Sequence, residues 1–523
     1  KAMMGMDMSN VPGRRPRLGL FTWCCVLLST VSAMLMGYDI GIMSGAILFI
    51  RDDLGLSLLQ EEVTVGSLNL FAAIGSLFAG FVSNRLGRRR ALLVASALFF
   101  LGAALLAASL SFAWLLAGRL LTGLGVGFAM MIAPLYSAEI SPASVRGFLV
   151  SFTEVFVNVG ILLGYLLGFA FQFLSPSFNW RLMLGAGALP ALLLAAGALF
   201  VLPESPRWLV IVGHIDLART VLKDVVCGGD AVEAEQRLSE IMAANEAETA
   251  KSGHTAGGGS GRLRGFSPLT RMYIIAIGIN FFQQASGIDA LVYYSPVVFK
   301  QAGVTTKMGM LGATVGMGVV KLGFVFVATY LLDRVGRKKL LYISAAGVVV
   351  CLTTVAATFV LLGLNSADGD SLLSVADKKG SGGGHDAAGV AVTIVAVFAY
   401  VAFFSVGFGP ISYVLTSEIF PLKHRSTAVG LSVFVNRAVS GTVALTFLSI
   451  AKAVTPAGTF GLFAGFTLLS LVFVALLVPE TKGKTLEEIS RLFGSDSDSN
   501  SRSGSGADEE RKAADSVQLA HKL

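Results

Sequence analysis

Six ionisable side chains interrupt long apolar stretches of this sequence: Asp39, Arg119, Glu154, Asp289, Lys321 and Arg437. If those stretches cross a bilayer, each charge at its centre costs at least about 2.5–3.5 kcal/mol. The groups must therefore pair, bind a proton or face water, and three acids with three bases make complete pairing possible. Ionisable groups in such positions are typical of proton and substrate pathways through membrane proteins.

Asp39 is the candidate proton site, with Arg119 as its partner. Asp39 lies about ten residues from one end of the first apolar run, and Arg119 about five residues from the same side of the fourth, which places them ~15 Å and ~8 Å deep in a helix. Burial favours a protonated carboxyl group and a nearby cation favours the ionised form. Proton coupling needs this competition between the protonated and the ionised form of the carboxyl group. The alternative is a static ion pair that only fixes helix packing.

Gln283 and Gln284 are the candidate ligands for a neutral polyhydroxy substrate. An amide both donates and accepts hydrogen bonds without net charge, as a hydroxyl group does. Ser286, Gly287 and Pro296 predict a break in the surrounding helix, and interrupted helices commonly form transporter sites. The sequence leaves open whether the amides bond to other helices instead. It also leaves open whether the following pair, Tyr293 and Tyr294, forms a gate or packs.

Twelve apolar runs must position these residues. Only 14% of the 523 residues are charged, against roughly 25% in soluble domains, and the mean hydropathy is +0.73. A bilayer core needs about 20 apolar residues in helix. The pattern predicts an all-α membrane protein with twelve transmembrane helices near residues 18–49, 63–83, 91–110, 114–139, 147–173, 182–202, 271–299, 308–332, 340–364, 389–418, 428–451 and 460–478. The alternative, a large soluble protein, would have to bury twelve helices with almost no polar face.

The distribution of positive charge predicts the orientation. Of the 40 Lys and Arg residues, 30 fall on the side that holds both termini, 7 on the opposite side and 3 inside runs. Because such an excess marks the cytoplasm, both termini are predicted to be cytoplasmic. The net charge of +7 then needs no nucleic-acid partner. The four cysteines suggest no disulfide. We expect no catalytic group, metal or cofactor other than the coupling proton, since every histidine lies in a loop or tail and no ATP-binding loop is present.

Three motifs occur twice in the same order and divide the chain in two. Arg85 answers Arg334, Glu139 answers Glu418, and Glu204 answers Glu480, at offsets of 249, 279 and 276 residues. We therefore predict cytoplasmic tails at 1–17 and 479–523, six-helix bundles at 18–202 and 266–478, and a cytoplasmic helical linker at 203–265. The C-terminal tail is predicted to be partly disordered.

Charged residues of the repeated motifs form a predicted cytoplasmic latch, in which a Glu at one helix end pairs with an Arg at the next and fastens one gating state. Basic residues after a span also serve as plain topology signals, which is the alternative. The latch comprises Arg85, Arg88, Glu139, Arg146, Glu204, Arg207, Asp333, Arg334, Arg337, Glu418, Arg425 and Glu480.

These repeats resemble the sugar porter family of the major facilitator superfamily over about residues 18–492. Pro203-Glu-Ser-Pro-Arg-Trp208, Gln283-Gln-Ala-Ser-Gly287 and Pro479-Glu-Thr-Lys-Gly483 carry the resemblance. Gly37-Tyr-Asp-Ile-Gly41 and the extended motif Gln283 to Asp289 are most similar to plant proton symporters of polyols and monosaccharides. Asn84 departs from the Asp usual in the family.

The resemblance implies roles for further residues. The Asp and Arg matching Asp39 and Arg119 form the proton-coupling pair of such porters. Glu154, Asp289, Lys321, Tyr413 and Asn436 fall at sugar-contacting positions, and their charges would suit linear polyols as well as rings. Asp289 and Lys321 are expected to pair, in the site or as a structural bridge outside it, while Arg437 has Glu154 or a backbone carbonyl as candidate partners. Gly409 and Pro410 are expected to bend the tenth span for gating.

The leading functional hypothesis is a proton-coupled symporter of polyols or monosaccharides that works by alternating access. A facilitative uniporter and, less favoured, a sugar sensor without flux remain as alternatives. The expected partners are the lipid bilayer and a small neutral substrate of the sorbitol, mannitol, xylitol, inositol, glucose or fructose class. Neither nucleic acid nor an obligate protein partner is expected. The resemblance favours the plasma membrane.

Overall fold

The computed structural model describes residues 20–141, 146–226, 230–254, 268–304, 306–361, 385–420 and 422–482. Within those residues the chain is helical, without strands. Twelve helices are long and apolar enough to cross a membrane, as the sequence predicted.

The first half contains seven helices, because its sixth span is broken after Gly185. They are α1 (Leu20–Leu54), α2 (Leu58–Leu86), α3 (Arg88–Ala107), α4 (Phe112–Ile140), α5 (Arg146–Phe171), α6 (Pro176–Gly185) and α7 (Ala188–Phe200). Three more helices follow in the chain: α8 (Pro206–Val212), α9 (Ile215–Val221) and α10 (Ala231–His254), with a π-helical turn at Leu222–Val226.

The second half contains nine helices for six spans. They are α11 (Pro268–Ala285), α12 (Ile288–Tyr293), α13 (Ser295–Gln301), α14 (Lys307–Val335), α15 (Arg337–Leu361), α16 (His385–Val406), α17 (Phe408–Ile419), α18 (Leu422–Val454) and α19 (Pro456–Leu477). The predicted break in the seventh span is confirmed: Gly287 adopts a left-handed conformation (φ 85°) between α11 and α12. Glycine accepts that conformation without strain.

The molecule has two faces, at the two ends of its spans. We call one the basic face, after its Lys and Arg residues, and the other the opposite face. The basic face carries the turn at Gly87 between α2 and α3 and the turn at Gly336 between α14 and α15. The opposite face carries the turn between α1 and α2 and the first residues of α14. The assignment of the basic face to the cytoplasm stays a prediction.

The two halves meet mainly where α2 packs on α18 and α5 packs on α14. Close contacts on both helix pairs lie toward the opposite face. A Cβ added to Gly66 of α2 would stand 2.8 Å from the backbone nitrogen of Leu445 on α18, and one added to Gly318 of α14 would stand 2.8 Å from the Tyr165 ring on α5. The structure is therefore closed at the opposite face.

Candidate functional site

A cavity with a mixed polar and apolar lining lies between the two halves. Its apolar wall includes Met36 and Ile40 of α1 and Phe404 of α16. Its polar lining consists of Glu154, Gln283, Gln284, Asp289, Lys321, Tyr413 and Arg437. Six of the seven residues predicted to bind substrate are thus brought to one cavity.

Asn436, the remaining predicted substrate residue, lies directly behind that lining and is fully buried. Its Nδ2 donates to Gln283 Oε1 at 2.6 Å and to Asn280 Oδ1 at 3.1 Å. Gln283 Nε2 in turn donates to the Phe408 carbonyl at 2.9 Å. The amides therefore bond to other helices and also line the cavity, so both interpretations of the Gln pair hold in part.

Asp289 pairs with Arg437 across α12 and α18. Arg437 Nη1 lies 3.4 Å from Asp289 Oδ2, and Ser440 Oγ donates to the same oxygen at 2.5 Å. Gln284 lies between the two charges. With its amide nitrogen toward Asp289 Oδ2 (3.1 Å), its oxygen accepts from Arg437 Nη2 (2.9 Å). The Asp289–Lys321 pair suggested by the sequence is absent from these contacts, and Arg437 supplies the cation instead.

Lys321 and Glu154 line the cavity without forming an ion pair with any described residue at 4 Å or less. Lys321 of α14 is 6% exposed. The Glu154 carboxylate on α5 accepts from Asn158 Nδ2 at 3.2 Å, one turn further along the same helix. A buried charge without a close partner is costly. An ammonium and a carboxylate left in this state can bind hydroxyl groups, which accept from the first and donate to the second.

Asp39 and Arg119 form a buried ion pair beside the cavity, not in its lining. Arg119 Nη1 contacts Asp39 Oδ2, and Arg119 Nε donates to the Thr64 carbonyl at 2.9 Å. Arg119 is fully buried and Asp39 is 3% exposed. The next residue after Asp39, Ile40, contributes to the cavity wall. Asp39 therefore lies on α1 between two residues of the cavity wall, Met36 and Ile40.

Two glycines of the Gly37-Tyr-Asp-Ile-Gly41 motif explain how Asp39 is held. A Cβ on Gly37 would stand 1.9 Å from the Val157 carbonyl oxygen, and one on Gly41 would stand 2.3 Å from the Ile161 carbonyl oxygen. Only glycine allows α1 to approach α5 this closely.

Tyr293 and Tyr294 are both fully buried at the α12–α13 junction. The Tyr293 hydroxyl accepts from Asn69 Nδ2 of α2 at 3.2 Å. Tyr294 donates to the Ala444 carbonyl at 3.0 Å and stacks on Phe447 with ring centroids 5.2 Å apart. Tyr293 thus touches the other half, as a gate would, while Tyr294 packs within its own half.

The tenth span breaks at Gly407, between α16 and α17, and not at Gly409 or Pro410 themselves. Pro410 contributes to the break because it lacks the N–H that would bond to the Val406 carbonyl. The Phe408 amide donates to Ser344 Oγ at 3.2 Å. Gly409 borders the cavity, where an added Cβ would stand 3.5 Å from Glu154 Oε1.

The latch residues form the same cluster twice at the basic face. Arg88 donates to both carboxylate oxygens of Glu139 at 2.9 Å, and Arg337 Nη2 donates to Glu418 Oε1 at 2.9 Å. Glu204 accepts from the backbone N–H of Arg88 at 2.7 Å. These pairs lie within one half each, not between the halves.

Glu480 is the counterpart of Glu204 in the second cluster. It accepts from the backbone N–H of Arg337, Lys338 and Lys482 at 3.0, 3.1 and 3.0 Å. Partial burial would raise the pKa of Glu480, but these three donors and the Arg337 charge hold it below the usual value. An anion at the first turn of α15 also interacts favourably with the helix dipole.

The remaining latch residues take other positions. Arg85 and Arg334 stack on aromatic rings one turn earlier, with each guanidinium carbon 4.1 Å from the ring centroid of Phe81 or Tyr330. Arg207 is half-buried and forms no ion pair with the described residues. The side chains of Arg146, Asp333 and Arg425 lie outside the described part of the chain.

Sequence reasoning missed three buried polar residues. The sequence placed Glu62 before the second span, but α2 begins at Leu58 and includes it. The Glu62 carboxylate accepts hydrogen bonds from Ser449 N at 2.7 Å and from Ser449 Oγ at 2.5 Å. Asn69 and Asn280 sit within apolar runs, which was the available signal. Asn280 supports Asn436, and Asn69 contacts Tyr293 and Arg437.

Comparisons with known proteins agree with this geometry. A family profile described as "Sugar (and other) transporter" matches residues 24–493. The chain is 43% identical to "Probable polyol transporter 4" of Arabidopsis thaliana, covering 92% of this chain and 86% of that protein. It is 42% identical to "Polyol transporter 5" of the same plant, covering 93% and 88%. The fold matches XylE of E. coli, whose structure is titled as a major facilitator superfamily proton:xylose symporter bound to 6-bromo-6-deoxy-D-glucose, with a TM-score of 0.74, 27% identity and coverage of 90% and 99%.

Proposed function

Because the chain belongs to the sugar transporter family of the major facilitator superfamily, we propose that it is a proton-coupled symporter of polyols or monosaccharides that works by alternating access. The family and its relatives are transporters and not enzymes. The observation that carries the proposal is the buried Asp39–Arg119 pair, in which Asp39 lies on α1 between the cavity-wall residues Met36 and Ile40.

The cavity supports a neutral polyhydroxy substrate. Two carboxylates, two cations and two amides line it, so its formal charges cancel and the lining offers both donors and acceptors to hydroxyl groups. Among such substrates we propose the sorbitol, mannitol, xylitol, inositol, glucose or fructose class. The wording of the relatives' names, polyol and xylose, supports this range.

The proposed cycle uses the Asp39 proton as a switch. With the opposite face open, protonation of Asp39 weakens its hold on Arg119 and lets the halves close on substrate. Once the basic face opens, the proton leaves and the ion pair re-forms. We propose that the basic face is cytoplasmic and that the protein acts at the plasma membrane, so that the outside supplies protons. No cofactor or obligate protein partner enters this cycle.

The test is uptake into proteoliposomes under an inward proton gradient, with and without a protonophore. Wild-type protein is expected to accumulate substrate only without the protonophore. Asp39→Asn is expected to retain exchange and lose accumulation. Asp53→Asn is the matched control, because Asp53 lies on the same helix but pairs with Arg181 at 3.2 Å near the opposite face. Accumulation by Asp39→Asn would disprove the proton role.

Two other wild-type results would replace the proposal. Saturable exchange that ignores the proton gradient would identify a uniporter. Binding without any flux would identify a sensor. Substrate-evoked currents across the panel of polyols and sugars would report the preferred substrate and the proton coupling in one assay.

A further inference from the structure

We propose that Asn69 is a positioning residue of the transport cycle, which ties closure of the opposite face to the arrangement of Arg437 in the cavity. This inference rests on the proposed function. It starts from a seam between the halves, defined as Glu62, Gly66 and Asn69 of α2 with Ser449, Leu445, Gly441 and Arg437 of α18.

The seam follows one stripe on each helix. Its α2 members recur at intervals of three and four residues, and its α18 members at intervals of four, so each set lies on one face of its helix. Near the opposite face the Glu62 carboxylate binds the backbone and hydroxyl of Ser449. Midway, a Cβ on Gly441 would stand 3.0 Å from the Leu70 backbone nitrogen, so the two backbones approach closely.

Asn69 is the point where the seam reaches the cavity. Its Oδ1 accepts from Arg437 Nη1 at 3.3 Å and its Nδ2 donates to the Tyr293 hydroxyl at 3.2 Å. Asn69 is fully buried. Because both of these partners belong to the other half, separation of the halves must break both hydrogen bonds.

The Arg437 guanidinium is shared between Asn69 and the substrate residues. Besides Asn69, it contacts Asp289 and Asn436, and it lines the cavity. A guanidinium turned toward a different partner would leave the buried Asn69 Oδ1 without this donor, which is costly. Closure of the seam therefore favours the one Arg437 orientation in which the substrate residues are assembled.

The same helix also touches the proton pair. Arg119 Nε donates to the Thr64 carbonyl, five residues before Asn69 on α2. Arg119, Thr64 and Asn69 all belong to the first half and move with it. The helix that carries Asn69 into the seam thus also contacts the guanidinium that pairs with Asp39.

Loss of the Asn69 amide should shift the population toward the state that is open at the opposite face. A substrate that binds this state gains apparent affinity when the state is more populated. Return to the closed state becomes less favourable, so turnover falls. We expect KM from the opposite face and the maximal rate to fall together, by about thirtyfold for two hydrogen bonds, one of them to a charged group.

The first test uses Asn69→Leu, which keeps the number and branching of the side-chain heavy atoms and removes both hydrogen bonds. Spin labels at Leu59→Cys and Val454→Cys, on exposed ends of α2 and α18, report the width of the seam after the native cysteines are replaced. Ser76→Ala is the matched control, because the buried Ser76 hydroxyl of α2 bonds only to the Ala73 carbonyl of its own helix. We expect longer label distances and lower KM in Asn69→Leu and neither in Ser76→Ala.

The second test is a double-mutant cycle with Tyr293→Phe, which removes only the hydroxyl that Asn69 contacts. Each single change should widen the seam, and the double change should widen it by less than the sum. Unchanged label distances in folded Asn69→Leu, or additive effects in the cycle, would overturn the role of Asn69. Since label distances need no flux, absence of wild-type transport would instead overturn the proposed function.

Discussion

Asp289 and Arg437 pair in the cavity wall, 3.4 Å apart, while Lys321 lines the same cavity without an ion pair among the described residues. Two buried cations of the same half therefore have different electrostatic roles. Arg437 is fixed by the Asp289 carboxylate and by three amide side chains, those of Asn69, Gln284 and Asn436. Lys321 is available to the substrate.

Neutralising Asp289 should destabilise the protein. Asp289→Asn leaves Arg437 buried beside a neutral group, and removal of one partner of a buried ion pair costs about 3–5 kcal/mol. We expect a lower unfolding temperature in detergent. Asp289→Asn combined with Arg437→Gln should recover part of the loss, because neither member of the former pair then carries a charge. A double variant less stable than Asp289→Asn would contradict the pairing.

Neutralising Lys321 should leave the stability of the protein intact and weaken substrate binding. Lys321→Gln removes a buried cation that has no close protein partner, so the unfolding temperature should stay equal to wild type or rise. Substrate binding should weaken about tenfold, since hydrogen bonds to charged groups contribute about 1.5–3 kcal/mol. Thermal unfolding and isothermal titration with the preferred polyol measure the two effects. A large loss of stability with unchanged affinity would place Lys321 in a structural role.

Filling the seam at Gly66 should trap the carrier open at the opposite face. Gly66→Val places methyl groups against the Leu445 nitrogen and the Gly441 carbonyl, which a Cβ already meets at 2.8 and 3.0 Å. Transport should fall at least about tenfold while substrate binding from that face persists. Gly465→Val is the control, since a Cβ there meets nothing within 4 Å. Normal transport by Gly66→Val would show that the seam does not need to close.

Glu480 should make the stability of the α15 N-terminus depend on pH. Its pKa is lower in the folded protein than in the unfolded chain, so its stabilising contribution is complete above the unfolded value of about 4.3. That contribution is lost as the pH falls through the folded value. The protection factors of amide hydrogen exchange in the first α15 turn, corrected for the pH dependence of the intrinsic exchange rate, should therefore fall in acid.

Glu480→Gln separates charge from hydrogen bonding in the same experiment. The amide keeps an acceptor but does not titrate, so the Glu480-dependent part of the acid response should disappear. At neutral pH we expect a loss of about 0.5–2 kcal/mol in local stability, the range for removal of a helix N-cap. An unchanged acid response in Glu480→Gln would assign it to another group.

The sequence alone determined that the chain lies in lipid and that it forms twelve helical spans. A run of about 20 apolar residues has only one stable form in lipid, because a helix satisfies its own backbone hydrogen bonds. The twelve spans, their two-fold repeat and the break at Gly287 could therefore be predicted locally. So could the six ionisable residues, since a charge in an apolar run stands out without any coordinates.

Only the tertiary structure decided which of those charged residues form ion pairs and which line the cavity without one. The partner of Arg437 depends on the relative rotation of α12, α14 and α18, and each helix could present its charge in several directions. Glu62 and Asn69 were missed for the same reason: their partners, Ser449, Tyr293 and Arg437, lie more than 200 residues away in the chain. Periodicity within one helix shows that a polar group is buried, but only packing between helices shows what it binds.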